Sequence, residues 1–133
     1  MLSKLAMKAF LASSLFATLS VTNALPDDFK IVEIADPKDE YTGRFVQFYT
    51  STGAGQTIGQ NQGKDVYLSL YSNGNTSLNS RVKITGEKIG DDGFFVVCRS
   101  MSNFATWYPG IDCDLASSSA VNSNGDDVYV VSV

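Results

Sequence analysis

Residues 64–77 read KDVYLSLYSNGNTS, an alternating strand, VYLSLY, that runs into the polar turn SNGN. Val66, Leu68 and Leu70 fall on one face and Tyr67, Ser69 and Tyr71 on the other, the period of two that marks a half-buried strand. Ser72, Asn73, Gly74 and Asn75 tolerate positive φ, so the chain is expected to reverse there. Arg81, Val82, Lys83, Ile84 and Thr85 then read as a second alternating strand, with Val82 and Ile84 inward. Such a hairpin, apolar on one face only, needs another layer to cover it.

Upstream, FKIVEI at 29–34 reads as a first strand, ended by DPKDE at 36–40, where proline cannot donate to a ladder and the charges resist burial. In RFVQFY at 44–49, Val46 and Phe48 share one face, with Phe45 an apolar exception on the other. TSTGAGQTIGQNQG at 50–63 reads as a loop anchored by Ile58. Its Gly53-Ala54-Gly55 serves turn geometry, because a phosphate cradle needs a helix after the glycines and none follows.

Downstream, the polar turn GDDG at 90–93 leads into FFVVC at 94–98, apolar on both faces. That pattern suits a central strand covered on both sides, or a strand with a second patch over it. Residues 100–119 are the least regular, with a helical turn expected around 103–108. A turn at 123–126, SNGD, precedes a closing strand at 127–133. Seven or so short strands with hardly any helical periodicity predict an all-β fold, an antiparallel two-sheet sandwich.

Residues 1–24 stand apart. Lys4 and Lys8 form a basic start, 9–19 is mostly apolar, and VTNA at 21–24 ends in a small residue, the pattern of a secretory signal peptide cleaved after Ala24. The alternative is a membrane anchor, but Ser13, Ser14 and Thr18 interrupt a run shorter than the roughly 20 residues a span requires. Residues 25–133 then form one domain, with no later segment apolar for long enough to cross a bilayer. Removing Lys4 and Lys8 from the 10 basic residues leaves 8 against 14 acidic ones, a mature charge of −6. That acidity opposes nucleic acid as a partner. An exported protein is expected to be secreted, periplasmic or at the cell surface, where disulfides persist. A Cys98–Cys113 bridge would close a loop of about 15 residues and contribute about 3 kcal/mol in the chain-entropy model. The alternative is two buried thiols.

The succession IVEIADP at 31–37, GRFVQFY at 43–49, LSLYSNGN at 68–75, DGFFVV at 92–97 and VNSNGDDV at 121–128 resembles the lamin tail domain family, most closely its bacterial secreted members. The likeness covers nearly all of 25–133. It implies an immunoglobulin-like β-sandwich used as an appended, non-catalytic module. In bacteria such domains accompany extracellular nucleases, phosphatases and surface proteins; in animals they form the tails of nuclear lamins. An acidic, exported chain without an attached catalytic domain departs from the nuclear role. The family offers no catalytic residues to carry over and implies no cofactor.

Chemistry is constrained by the absence of histidine, which excludes His-based triads and the usual zinc sites. Paired carboxylates, Asp112 with Asp114 or Asp126 with Asp127, are candidates for acid–base work, although Asp in such positions commonly stabilises turns. Asp91, Asp92, Asp112, Asp114, Asn124, Asp126 and Asp127 are loop oxygen donors of the type calcium needs, but without a fixed spacing they read as solvated acids and no metal site is assigned. Phe104, Trp107 and Tyr108, on the loop the disulfide would restrain, are the preferred contact surface, with capping of the core as the competing use. Tyr67 and Tyr71 are further contact candidates. Asn75 heads a glycosylation sequon, relevant only in a eukaryotic host. The expectation is a secreted, non-catalytic binding or adhesion module with a protein or glycan partner. The alternatives are an accessory subunit of a secreted hydrolase and, less favoured, a small enzyme using carboxylates alone.

Overall fold

The computed structural model describes residues 25–35, 43–59, 65–72, 77–123 and 127–132. Among these, the elements run β1 (Lys30–Ala35), β2 (Phe45–Tyr49), β3 (Tyr67–Ser72), β4 (Ser77–Lys83), β5 (Phe94–Cys98), α1 (Met101–Trp107), β6 (Leu115–Ala116) and β7 (Val128–Ser132). They form two sheets, ordered β1-β2-β5-β6 and β4-β3-β7. The fold is an all-β sandwich. Residues 1–24, the break at 36–40, the sequon at Asn75 and most of the SNGN and SNGD turns lie outside the described residues.

The alternation in β3 is realised as read: Val66, Leu68 and Leu70 point into the core and Tyr67 and Tyr71 away from it. From the facing sheet, Val46, Phe48, Phe95 and Val97 meet them. Phe29 stacks on Phe48 with ring centroids 4.9 Å apart, and Phe95 tilts against both. Ile58 anchors its loop as expected. It is fully buried beside Ile89, and the loop pairs with the β4–β5 connection through Ile58 N–H to Glu87 C=O (2.8 Å) and Ile89 N–H to Gln56 C=O (2.9 Å). That pairing satisfies backbone groups that burial would otherwise leave without water.

Two expectations are corrected. The strand expected at 81–85 begins at Ser77, where it pairs with Ser72, and ends at Lys83. Its first half follows main-chain pairing with β3 and not burial, since its one large apolar residue, Leu78, is exposed. The antiparallel expectation fails at β5–β6, a parallel pair with Val97 opposite Leu115 and Cys98 opposite Ala116. The residues between these strands include α1, and a parallel return requires such a crossover.

Gln47 sits between Phe45 and Tyr49 on the outer face of β2, 3% exposed, and its Oε1 has no hydrogen-bond partner among the described residues. A buried polar atom left unpaired is destabilising, so Gln47→Met, similar in reach but without the amide, is expected to raise stability by about 1 kcal/mol. Urea denaturation of the two proteins checks this; a lower midpoint for the variant would show that the amide is satisfied in solution.

Candidate functional site

All five residues of β5 are buried, which requires cover on both faces of the four-stranded sheet. Phe95 and Val97 enter the sandwich core, while Val96 and Cys98 join Phe45 and Phe104 in a second core on the outer face. Ser100 starts the covering helix. Its carbonyl accepts from Phe104 N–H (2.9 Å) and its side chain from Asn103 N–H (3.4 Å), a polar N-cap. Seven residues are too few for a helix to persist alone, so packing and the covalent link hold α1 in place. That link is the Cys98–Cys113 disulfide, present as expected across a separation of 15 residues.

The three aromatic residues expected to form a contact surface divide their work. Phe104 is buried, packed edge-on to Phe45 with centroids 5.2 Å apart, and so is withdrawn from contact. Tyr108 packs on Phe45 at 5.0 Å and on Phe104 at 5.2 Å. Burial raises the pKa of its hydroxyl, and the charge of Glu33 adds to the effect. Trp107 remains 43% exposed, its indole lying on Gly43 so closely that a Cβ there would stand 2.7 Å from Cδ1. Only glycine leaves room for the indole. Met101, 51% exposed, flanks Phe104 on the other shoulder, because residues three apart on a helix are displaced by about 60°.

Tyr67 and Tyr71 lie elsewhere, on the outer face of the three-stranded sheet, with the sandwich core between them and α1. The four aromatic candidates that reach the surface therefore lie on two separate faces. Over Tyr67 lies the Arg81 guanidinium, 3.9 Å from the ring centroid.

Two of the candidate carboxylates serve the backbone. Asp92 Oδ1 accepts from Phe94 N–H (3.0 Å), and Asp114 Oδ2 accepts from Val96 N–H (2.8 Å) while Asp114 N–H donates to Val96 C=O (2.9 Å). Asp114 thus pairs with β5 as a strand residue would, just before β6. Asp112 is exposed, and Asn124 and Asp126 lie outside the described residues. Among the described residues no group of three or more His, Cys, Asp or Glu gathers as a metal site, and no helix is long and apolar enough to cross a membrane.

Two polar anchors had no assigned role in the sequence reading. Arg99 Nη1 donates to Ser118 C=O (2.7 Å), Val121 C=O (3.2 Å) and Asn122 Oδ1 (3.0 Å), tying the segment after β6 to the end of β5. Asp28 accepts from the hydroxyls of Thr50 and Ser51, from Ser51 N–H (2.7 Å) and from Thr52 Oγ1 (2.9 Å). Beside it Pro26 is buried against Gly53, where a Cβ would come within 2.2 Å of the proline ring, and Gly55 takes φ +78° in the same loop. The sequence signals were the hydroxyl run Thr50-Ser51-Thr52 and the Asp27-Asp28 pair, but more than 20 positions separate them. Comparison with known protein families found no match, nor did comparisons with curated proteins and with solved structures.

Burial raises the pKa of Asp28, but the hydrogen bonds from Ser51, Thr50 and Thr52 outweigh it and bring the value from 3.8 down to about 2. A depressed carboxylate pKa contributes stability that is present above the unfolded value and is lost as pH falls toward the folded one. Stability is therefore expected to decline between pH 3.8 and about 2. Asp28→Asn should flatten this decline and cost about 1 kcal/mol at neutral pH, a modest figure because the carboxylate is partly exposed. Denaturation of both proteins across this range checks it; parallel pH profiles would refute the anchoring role of Asp28.

Proposed function

We propose that the chain is an exported, non-catalytic binding module of the lamin-tail kind, immunoglobulin-like in topology, with a protein or glycan partner met at Trp107. Trp107 carries this reading: a large, half-exposed aromatic on a helix whose underside is fixed by Phe104 and by the Cys98–Cys113 bridge. A rigid aromatic supplies contact area without a large ordering cost, and tryptophan is enriched among residues that dominate binding energy. The sequence resemblance supports the module assignment, and the disulfide is compatible with an extracellular setting. The engagement of Asp92 and Asp114 with the backbone of β5 favours binding over carboxylate catalysis.

The test compares what the immobilised protein and two variants capture from the native extracellular medium. Trp107→Ala is expected to leave the thermal midpoint nearly unchanged and to reduce capture of the partner at least tenfold, the loss typical of a central anchor. Phe104→Ala is expected to cost about 3 kcal/mol or more of stability through the cavity it leaves. Identical capture by the wild type and by folded Trp107→Ala would refute Trp107 as the contact.

A further inference from the structure

The outer face of the three-stranded sheet has a composition unlike that of the whole chain. In β3 register, Tyr67 faces Lys83 on β4 and Ser132 on β7, Ser69 faces Arg81 and Val130, and Tyr71 faces Leu78 and Val128. Ser69, between the two tyrosines of the middle strand, is buried. Tyr71 lies four positions beyond Tyr67, a spacing of about 13 Å along a strand. Arg81 and Lys83 are both exposed along one border, and Leu78 is 50% exposed at the other end.

We propose that this face binds an acidic polysaccharide, a polymer of uronate sugars, with Tyr71 as the stacking platform and Arg81, held over the Tyr67 ring, as the carboxylate contact. The commitment follows from charge and shape. The chain after Ala24 is acidic, yet this face exposes Arg81 and Lys83 against the single Asp65 carboxylate beside Lys83, a local positive excess at Arg81 that favours an anionic occupant. Two cations on one border are a small footprint for a phosphate backbone, which binds through many neutralised phosphates. Arg81 presents a planar fork suited to a carboxylate, and stacking on Tyr67 holds that fork in place. The Tyr71 ring offers a π face on which the C–H face of a sugar ring can stack. Lys83 stands 4.0 Å from Asp65 with both side chains more than half exposed, an ion pair weak enough to yield to a carboxylate ligand. This inference rests on the binding-module reading but uses the surface opposite Trp107, so the two can fail separately.

The test is affinity electrophoresis of the exported protein through gels containing polygalacturonate or its fully methyl-esterified form, which keeps the sugar chain and removes the charge. Polygalacturonate is expected to retard the protein, added salt to reduce retardation, and the ester to give little or none. Tyr71→Ala and Arg81→Gln, both at exposed or half-exposed positions, should each weaken binding roughly tenfold. Trp107→Ala should bind as the wild type does. Absence of retardation, equal retardation by the ester, or unchanged binding by both variants would overturn the proposal. So would loss of binding in Trp107→Ala, or a wild-type dimer that Tyr71→Ala dissociates, since the face would then serve a second copy of the chain.

Discussion

β5 has to be covered twice. Its five residues are all apolar and all buried, and because alternate side chains leave a strand on opposite faces, one sheet opposite is not enough. The three-stranded sheet covers Phe95 and Val97; something else must cover Val96 and Cys98. The chain meets that need with the segment that follows β5, folding it back as α1 and the disulfide loop over the same strand. Phe45, the apolar exception on β2, belongs to this second core, directly opposite Cys98 in the ladder. The crossover, the parallel direction of β6, the pairing of Asp114 with Val96 and the exposure of Trp107 all follow from that fold-back.

Much of this could be read in the residues, and the rest has identifiable physical reasons for being hidden. VYLSLY announced its buried face because one-sided burial writes a period of two, and FFVVC announced double cover because both periods were apolar. Ile58 stood out as the sole large apolar side chain in a polar loop. The start of β4 was hidden because SLNS is held by main-chain hydrogen bonds, which side-chain composition does not report. β6 was hidden for the same reason, being two residues long. The division of labour among Phe104, Trp107 and Tyr108 depends on where each falls around α1 and its C-cap, and the start of a helix this short is set by one N-cap serine. The Asp28 anchor joins residues from distant parts of the chain, where local pattern carries no signal.

Charge is distributed with similar economy. Acidic side chains at Asp28, Asp92 and Asp114 are drawn into backbone and hydroxyl contacts that organise loops, so part of the negative charge acts as internal scaffolding. The cations behave differently on the two sides. Arg99 is spent on carbonyls and an amide, whereas Arg81 lies across an aromatic ring at the surface. Neither use is visible from a net charge, which averages over both.

The two borders of the four-stranded sheet also differ. β6 ends one side after two residues, while β1 forms the other with six and leaves Val32 and Ile34 exposed. A long apolar border strand invites strand-by-strand growth between molecules. In β1 the register shifts between Ile31 and Glu33, so Val32 is an extra residue in the ladder and the row of backbone donors and acceptors loses its regular spacing there. A neighbouring strand docking on that border would find matching spacing on only one side of Val32 at a time. Among the described residues, the irregularity thus breaks up the template for fibrous growth along the longer border of this sheet.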